Sequence, residues 1–218
     1  MSSAARDTVA TLVETMKRAS AALRDAEVEY MLGGGLAIWA LGGPPTDHDV
    51  DFLVREEDAE RALDALAAAG LRIERPPEDW LYKAYDGPVL VDLIFRPAGG
   101  AIGDEHFTRS TPMEVGSLTV PVASIDDVIV TKLLALTEQD PDFEAVLAVA
   151  RALREQIDWT FVEERSGSSP FARAFFTLVE GLGVVESSST LAAPPAQPET
   201  VRPRSAPGSV PTAANHAA

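Results

Sequence analysis

The chain has 218 residues, of which 46% are hydrophobic and 24% are charged, and its formal net charge is −16. A chain of this size and composition can bury its own core, and is typical of a soluble globular protein with one domain or slightly more. It contains no cysteine, which excludes disulfide bonds, zinc–thiolate sites and thiol catalysis. No apolar run reaches the roughly 18 residues that span a bilayer, and the N-terminus lacks a signal-peptide pattern, so we expect a cytoplasmic protein without a membrane partner.

The negative charge lies on the body of the chain, since Glu186, Glu199, Arg202 and Arg204 cancel in the tail. An acidic body repels a polyphosphate backbone, so we expect no broad nucleic-acid surface. The net charge does not exclude a local basic pocket. Solubility alone is the more common reason for such a charge.

In chain order, the first half alternates helical and strand patterns. Apolar residues at helical spacing predict a helix over residues 8–25, and Asp86-Gly87 is a hairpin signal. The further predicted elements are strands at 28–32, 50–54, 71–73, 81–85 and 89–95, with helices at 36–41 and 56–69. This order predicts an α/β (α+β) fold with a mixed sheet and flanking helices.

The second half is predicted to be mainly helical. A loop over 97–112 and a hairpin over 113–122 precede three helices, which open at Ser124, at Asp140-Pro141 and at Ser169-Pro170. From Glu186 onward Ser, Pro, Ala and Thr dominate without periodicity, which indicates disorder. We therefore predict an α/β core over 1–122, a helical segment over 123–185 and a disordered tail over 186–218.

Three acidic residues stand out within or beside the predicted strands. Asp49 and Asp51 open the strand that follows the glycine turn Gly33–Gly35, and their spacing of two places both side chains on one face. Asp92 lies within the apolar run VLVDLIF, where a charge is rare without a partner. If the two strands are neighbours, the three carboxylates could hold two divalent ions for phosphoryl transfer. The simpler alternative for Asp92 is a salt bridge.

The segments GGGLAIWALGG, HDVDFLV, VLVDLIF and PVASIDDVIVTKLLAL resemble the nucleotidyltransferase superfamily related to DNA polymerase β. The resemblance covers residues 28–183 and is strongest to the small bacterial branch of abortive-infection toxins and antibiotic nucleotidyltransferases. It implies transfer of a nucleoside monophosphate from a nucleoside triphosphate to an acceptor hydroxyl, with Mg²⁺ as cofactor. The acceptor, whether small molecule, protein or RNA, stays open.

The resemblance also implies roles for individual residues. Gly34 and Gly35 would bind the nucleotide phosphates, together with Lys132, which without the resemblance is simply a surface lysine. Asp49 and Asp51 would be the metal-binding pair, and Asp92 the third carboxylate, serving in metal binding and catalysis. The loop 44–47, PPTD, lacks the arginine that relatives often carry before the aspartate pair.

Two alternatives to this function follow from the same residues. The domain could bind a nucleotide or a protein without turnover, for example within a toxin–antitoxin pair. It could also be a drug-modifying enzyme whose acidic surface attracts a cationic acceptor such as an aminoglycoside.

Overall fold

The computed structural model describes residues 3–46 and 48–185, and within them the chain forms a mixed seven-stranded sheet with helices on both faces. The strands are β1 (Tyr30–Leu32), β2 (Asp49–Val54), β3 (Arg72–Glu74), β4 (Leu81–Asp86), β5 (Val89–Ile94), β6 (Thr111–Val115) and β7 (Leu118–Val122). The helices are α1 (Ser3–Asp25), α2 (Gly34–Ala40), α3 (Ala59–Ala68), α4 (Asp104–Arg109), α5 (Ile125–Ala135), α6 (Phe143–Leu153), α7 (Trp159–Ser166) and α8 (Pro170–Gly181). Of the helices described, none is both long enough and apolar enough for a membrane span.

The strands are arranged in the order β3-β4-β5-β2-β1-β7-β6. β2 runs parallel to β5 and antiparallel to β1, and β4 and β5 form an antiparallel hairpin across Asp86-Gly87. Parallel neighbours need a crossover, and here the chain between β2 and β5 passes through α3, β3 and β4. The topology thus makes β2 and β5 central neighbours, although more than thirty residues separate them.

The two faces of the sheet are packed by different helices. On one face α1 and α3 cover a core that includes Met16, Phe52 and Leu63. On the other face the helices α5 to α8 form a second core around Ile129 and Phe175. Because strand side chains alternate, burial of Val50, Phe52 and Val54 in the first core turns the remaining residues of β2 toward the second face.

The predicted α/β fold with a mixed sheet and flanking helices is confirmed. The N-caps at Ser124 and Ser169 are also confirmed, since each side chain accepts a backbone N–H three residues later. The division into a core over 1–122 and a helical segment over 123–185 stays a prediction. The tail predicted to be disordered, 186–218, lies outside the described residues.

Three local predictions are wrong. The segment predicted as the loop 97–112 contains the one-and-a-half-turn helix α4, which is too short to show apolar periodicity. The helix α7 was not predicted, because its apolar residues do not form a stripe at helical spacing. Asp142, rather than Asp140, caps α6, and its side chain accepts a hydrogen bond from the N–H of Ala145 at 3.1 Å.

Candidate active site

The strand register brings the three predicted carboxylates together. Asp51 on β2 lies directly opposite Asp92 on the parallel strand β5, and Asp49 lies two residues before Asp51 on the same face. Each of the three residues offers an oxygen atom, and these atoms all lie within 4.8 Å of one another. The three acidic side chains therefore share one site, on the sheet face that turns toward the second core.

Burial and mutual repulsion make these carboxylates hard to ionise. The pKa of Asp51 is raised to about 7, mainly by burial and then by the charges of Asp49 and Asp92, while Lys132 and a backbone hydrogen bond from Gly35 oppose the shift. The pKa of Asp92 is raised to about 6, mainly by burial. The pKa of Asp49 is also raised by burial, although nearby positive charges oppose this. Close acidic groups with such pKa values are characteristic of functional sites.

The donor set fits a hard divalent cation. Three carboxylates supply only oxygen ligands, which Mg²⁺ prefers. Oδ1 of Asp92 is buried and has no hydrogen-bond partner in the described part of the chain. A buried carboxylate oxygen is costly to leave unpaired, and a cation at this point would satisfy it. The salt bridge considered for Asp92 is absent among the described residues within 4.0 Å.

The glycine turn is built around Asp51. The N–H of Gly33 donates to the backbone oxygen of Asp51 at 2.8 Å, and Gly34 has a positive φ of 52°. A Cβ added at Gly34 would lie 1.6 Å from Oδ2 of Asp51. Glycine is thus required at position 34 both for the backbone conformation and for the close approach of the carboxylate.

Two lysines lie near the carboxylates, and one of them was not predicted. The positive charges of Lys132 on α5 and Lys83 on β4 both lower the pKa of Asp49. Lys83 lies directly opposite Asp92 in the β4–β5 hairpin. Neither lysine is in an ion pair within 4.0 Å among the residues described, so each can interact with a bound anion. The position of Lys83 opposite Asp92 follows from the hairpin that Asp86-Gly87 predicts.

A cavity of about 630 Å³ opens beside the glycine turn. Gly34, Asp51 and Lys132 line one part of it, and the segment that follows β5 lines another. This volume lies within the range of small-molecule sites.

Three further residues that follow or precede the strands of the site interact with neighbouring protein groups. Arg96, which lies just beyond the end of β5, pairs with Glu56 and with Asp79. Arg55 pairs with Glu29 and Asp104. His48 is exposed, and its interaction with Asp49 is electrostatic.

The three tryptophans differ in their surroundings. Trp39 packs against the first core and Trp159 against the second. Trp80 lines the cavity and is 39% exposed.

Comparison with known proteins finds similarity in this part of the chain. A family model described as aminoglycoside-2''-adenylyltransferase matches residues 15–86, which include the glycine turn and the Asp49–Asp51 pair. The fold is similar to the crystal structure of ANT(2'')-Ia in complex with adenylyl-2''-tobramycin, with a TM-score of 0.55 and 18% identity over 77% of this chain and 98% of that chain. It is also similar to the solution structure of the antibiotic-resistance factor ANT(2'')-Ia, with a TM-score of 0.57 and 17% identity over 80% of this chain and 97% of that chain.

The chain has the polymerase β-like nucleotidyltransferase fold. The resemblance to the antibiotic nucleotidyltransferase branch is confirmed, and the family match supports an enzyme of the nucleotidyltransferase class. No curated protein sequence gives a significant match. The matched segment ends before Asp92, so the evidence for the third carboxylate is the strand register and the close approach of its oxygen to those of Asp49 and Asp51.

Proposed function

We propose that the protein is a magnesium-dependent nucleotidyltransferase that moves a nucleoside monophosphate from a nucleoside triphosphate to an acceptor hydroxyl, with release of pyrophosphate. The observation that carries the proposal is the convergence of Asp49, Asp51 and Asp92 within 4.8 Å beside a glycine turn. The buried, unpartnered oxygen of Asp92 supports a cation at the same point.

Each residue of the site has a distinct role in this proposal. Asp49, Asp51 and Asp92 would hold two magnesium ions, which when bound stabilise negative charge on the entering and leaving oxygens. Gly34 and Gly35 let the triphosphate approach the backbone, and Lys132 binds a phosphate oxygen. Asp92 also accepts the proton of the acceptor hydroxyl. The rate enhancement then comes from positioning and charge, without a covalent enzyme intermediate.

For the acceptor we propose a cationic amino sugar of the aminoglycoside class. The description of the matching family supports this choice, as does the net charge of −16, which raises the local concentration of a cation around the protein. The surface charge would increase the rate at which the acceptor encounters the protein, whereas the carboxylate cluster would increase the rate of the transfer step.

The test is pyrophosphate release by the purified chain with Mg²⁺, each of the four nucleoside triphosphates and a panel of aminoglycosides. Asp49→Asn and Asp51→Asn are expected to abolish release. Asp64→Asn is the matched control, because Asp64 is an exposed carboxylate on α3, which packs on the opposite face of the sheet from the site, and its variant should keep full activity. Wild-type rates in Asp49→Asn or Asp51→Asn would refute the mechanism.

A separate measurement distinguishes the non-catalytic alternative. Calorimetry with Mg²⁺ and each nucleoside triphosphate measures binding in the absence of acceptor. Binding without pyrophosphate release on any acceptor of the panel would favour a nucleotide-binding module, as in the toxin–antitoxin hypothesis. Release on one amino sugar would support the enzyme and identify its acceptor class together.

A further inference from the structure

Trp80 presents a large apolar surface in a fixed position. It directly precedes β4, and its backbone oxygen accepts hydrogen bonds from the N–H groups of Phe95 and Arg96, at 3.1 Å and 3.2 Å. The residue is nevertheless 39% exposed, although indole rings are usually well buried. A rigid backbone with an exposed indole that lines a cavity is the arrangement of a binding surface.

The cavity that Trp80 lines is continuous with the phosphate side of the proposed site. Gly34, Asp51 and Lys132 line the same cavity, whereas Asp49 and Asp92 do not. Apolar side chains from the sheet, from α5 and from the loop after β5 line it as well, namely Leu53, Ile94, Val128, Ala135 and Ile102. A molecule with phosphates at Gly34 and Lys132 would therefore extend its uncharged part toward Trp80.

The acidic residues near Trp80 are neutralised by arginines. Both carboxylate oxygens of Asp127 accept hydrogen bonds from Arg109, at 2.8 Å and 2.9 Å. Asp79 pairs with Arg96 at 3.4 Å. A cationic ring would find no unpaired carboxylate at this part of the cavity among the described residues, so the lining suits a neutral, flat group.

We propose that Trp80 is a stacking platform for the base of the nucleoside triphosphate. Trp80 is thus a positioning residue that orients the nucleotide while its phosphates reach Gly34 and Lys132. The proposal rests on the proposed function, because it assigns the cavity to the nucleotide of that reaction. Every base has a flat π-face, so the indole contributes affinity for all four nucleoside triphosphates.

The experiment measures nucleotide binding apart from catalysis. Calorimetry with Mg²⁺ and no acceptor compares each nucleoside triphosphate with inorganic tripolyphosphate, which has the phosphates and lacks the base. The variants are Trp80→Ala and Trp80→Phe, and the matched control is Leu178→Ala, which truncates an apolar side chain of similar exposure (38%) that does not line the cavity.

Trp80→Ala is expected to weaken binding of each nucleoside triphosphate by about 5- to 150-fold, the range that corresponds to loss of one base–aromatic stack. Its affinity for tripolyphosphate should not change. Trp80→Phe should recover most of the loss because it restores an aromatic face. Leu178→Ala should bind both ligands like the wild type.

Three results would overturn the assignment of Trp80. In calorimetry, Trp80→Ala could bind the nucleotides as tightly as the wild type, or lose nucleotide and tripolyphosphate affinity equally. In the pyrophosphate-release assay, it could raise only the KM for the acceptor, which would assign the ring to the acceptor instead. In each case a wild type that binds and transfers nucleotide leaves the proposed function intact. A wild type that binds no nucleotide would refute the proposed function and this inference together.

Discussion

Replacing Asp51 by Asn should stabilise the metal-free protein at pH 8. Asp51 lies close to two other carboxylates and is half-buried, so its ionised form is disfavoured in the folded state. The substitution keeps the shape of the side chain and removes the charge. The free energy of unfolding should therefore increase where wild-type Asp51 is ionised.

The size of the effect follows from the pKa of Asp51. Folding raises this pKa from its ordinary value of 3.8 to about 7, a difference of about 3 pH units. At 1.36 kcal/mol for each unit, the upper bound at pH 8 is about 4 kcal/mol. Because the residue is partly accessible to solvent and shares its repulsion with Asp49 and Asp92, we expect about 2 kcal/mol.

The sign is fixed by the direction of the pKa change. A group whose pKa is raised on folding contributes fully to stability below its unfolded pKa, and this contribution is lost as the pH rises through its folded pKa. For Asp51 the loss occurs between about pH 4 and pH 7. The stability gained by Asp51→Asn should therefore be small at pH 4 and reach its full value at pH 8.

The assay is urea unfolding in EDTA at pH 4, 6 and 8, with Asp64→Asn as the control for loss of a carboxylate. Magnesium should then stabilise the wild type at pH 8, by about 2.7 kcal/mol at a concentration 100-fold above its Kd, and should stabilise Asp51→Asn much less. An Asp51→Asn variant that is no more stable than the wild type at pH 8 in EDTA would refute the reasoning.

Three further substitutions test the surroundings of the cluster. Gly34→Ala should have a lower free energy of unfolding and lose pyrophosphate release because its Cβ meets Asp51. Its control is Gly87→Ala, which is also at positive φ but has open space around it. That variant should lose only about 1 kcal/mol of unfolding free energy in urea and keep its activity. Lys83→Met removes a charge that lowers the pKa of Asp92, so the acid limb of the pH profile of kcat/KM should move to higher pH; an unchanged limb would contradict this. Lys132→Met should raise the KM for the nucleoside triphosphate by about tenfold or more, and a KM equal to that of the wild type would exclude the phosphate contact.

The common face of Asp49 and Asp51 could be predicted from sequence because it depends only on the alternation of a strand. The position of Asp92 depends on pairing with a strand more than thirty residues away. A register slip of one residue would turn Asp92 to the opposite face. The sequence therefore supported the third carboxylate only as a hypothesis, and the register Asp51–Asp92 supplies what local patterns lack.

Lys83 and Trp80 show two different limits of the sequence argument. The hairpin turn at Asp86-Gly87 fixes the pairing of β4 with β5, so the place of Lys83 opposite Asp92 could have been derived by counting back from the turn. The place of Trp80 could not be derived, because the cavity forms where the sheet approaches α5 and the segment after β5. No local pattern encodes that approach.

The net charge of −16 and the local charge of the cavity have different consequences for ligand binding. Near Trp80 the carboxylates of Asp79 and Asp127 are paired with arginines, whereas those of Asp51 and Asp92 have no arginine or lysine partner within 4.0 Å among the described residues. The net charge does not distinguish paired from unpaired carboxylates, yet only the unpaired ones favour binding of a cation. The end of the cavity near Trp80 offers a cation no unpaired carboxylate and is suited to the neutral base. If the acidic body attracts a cationic acceptor, we therefore expect that acceptor to approach the reacting phosphorus from the side of Asp92.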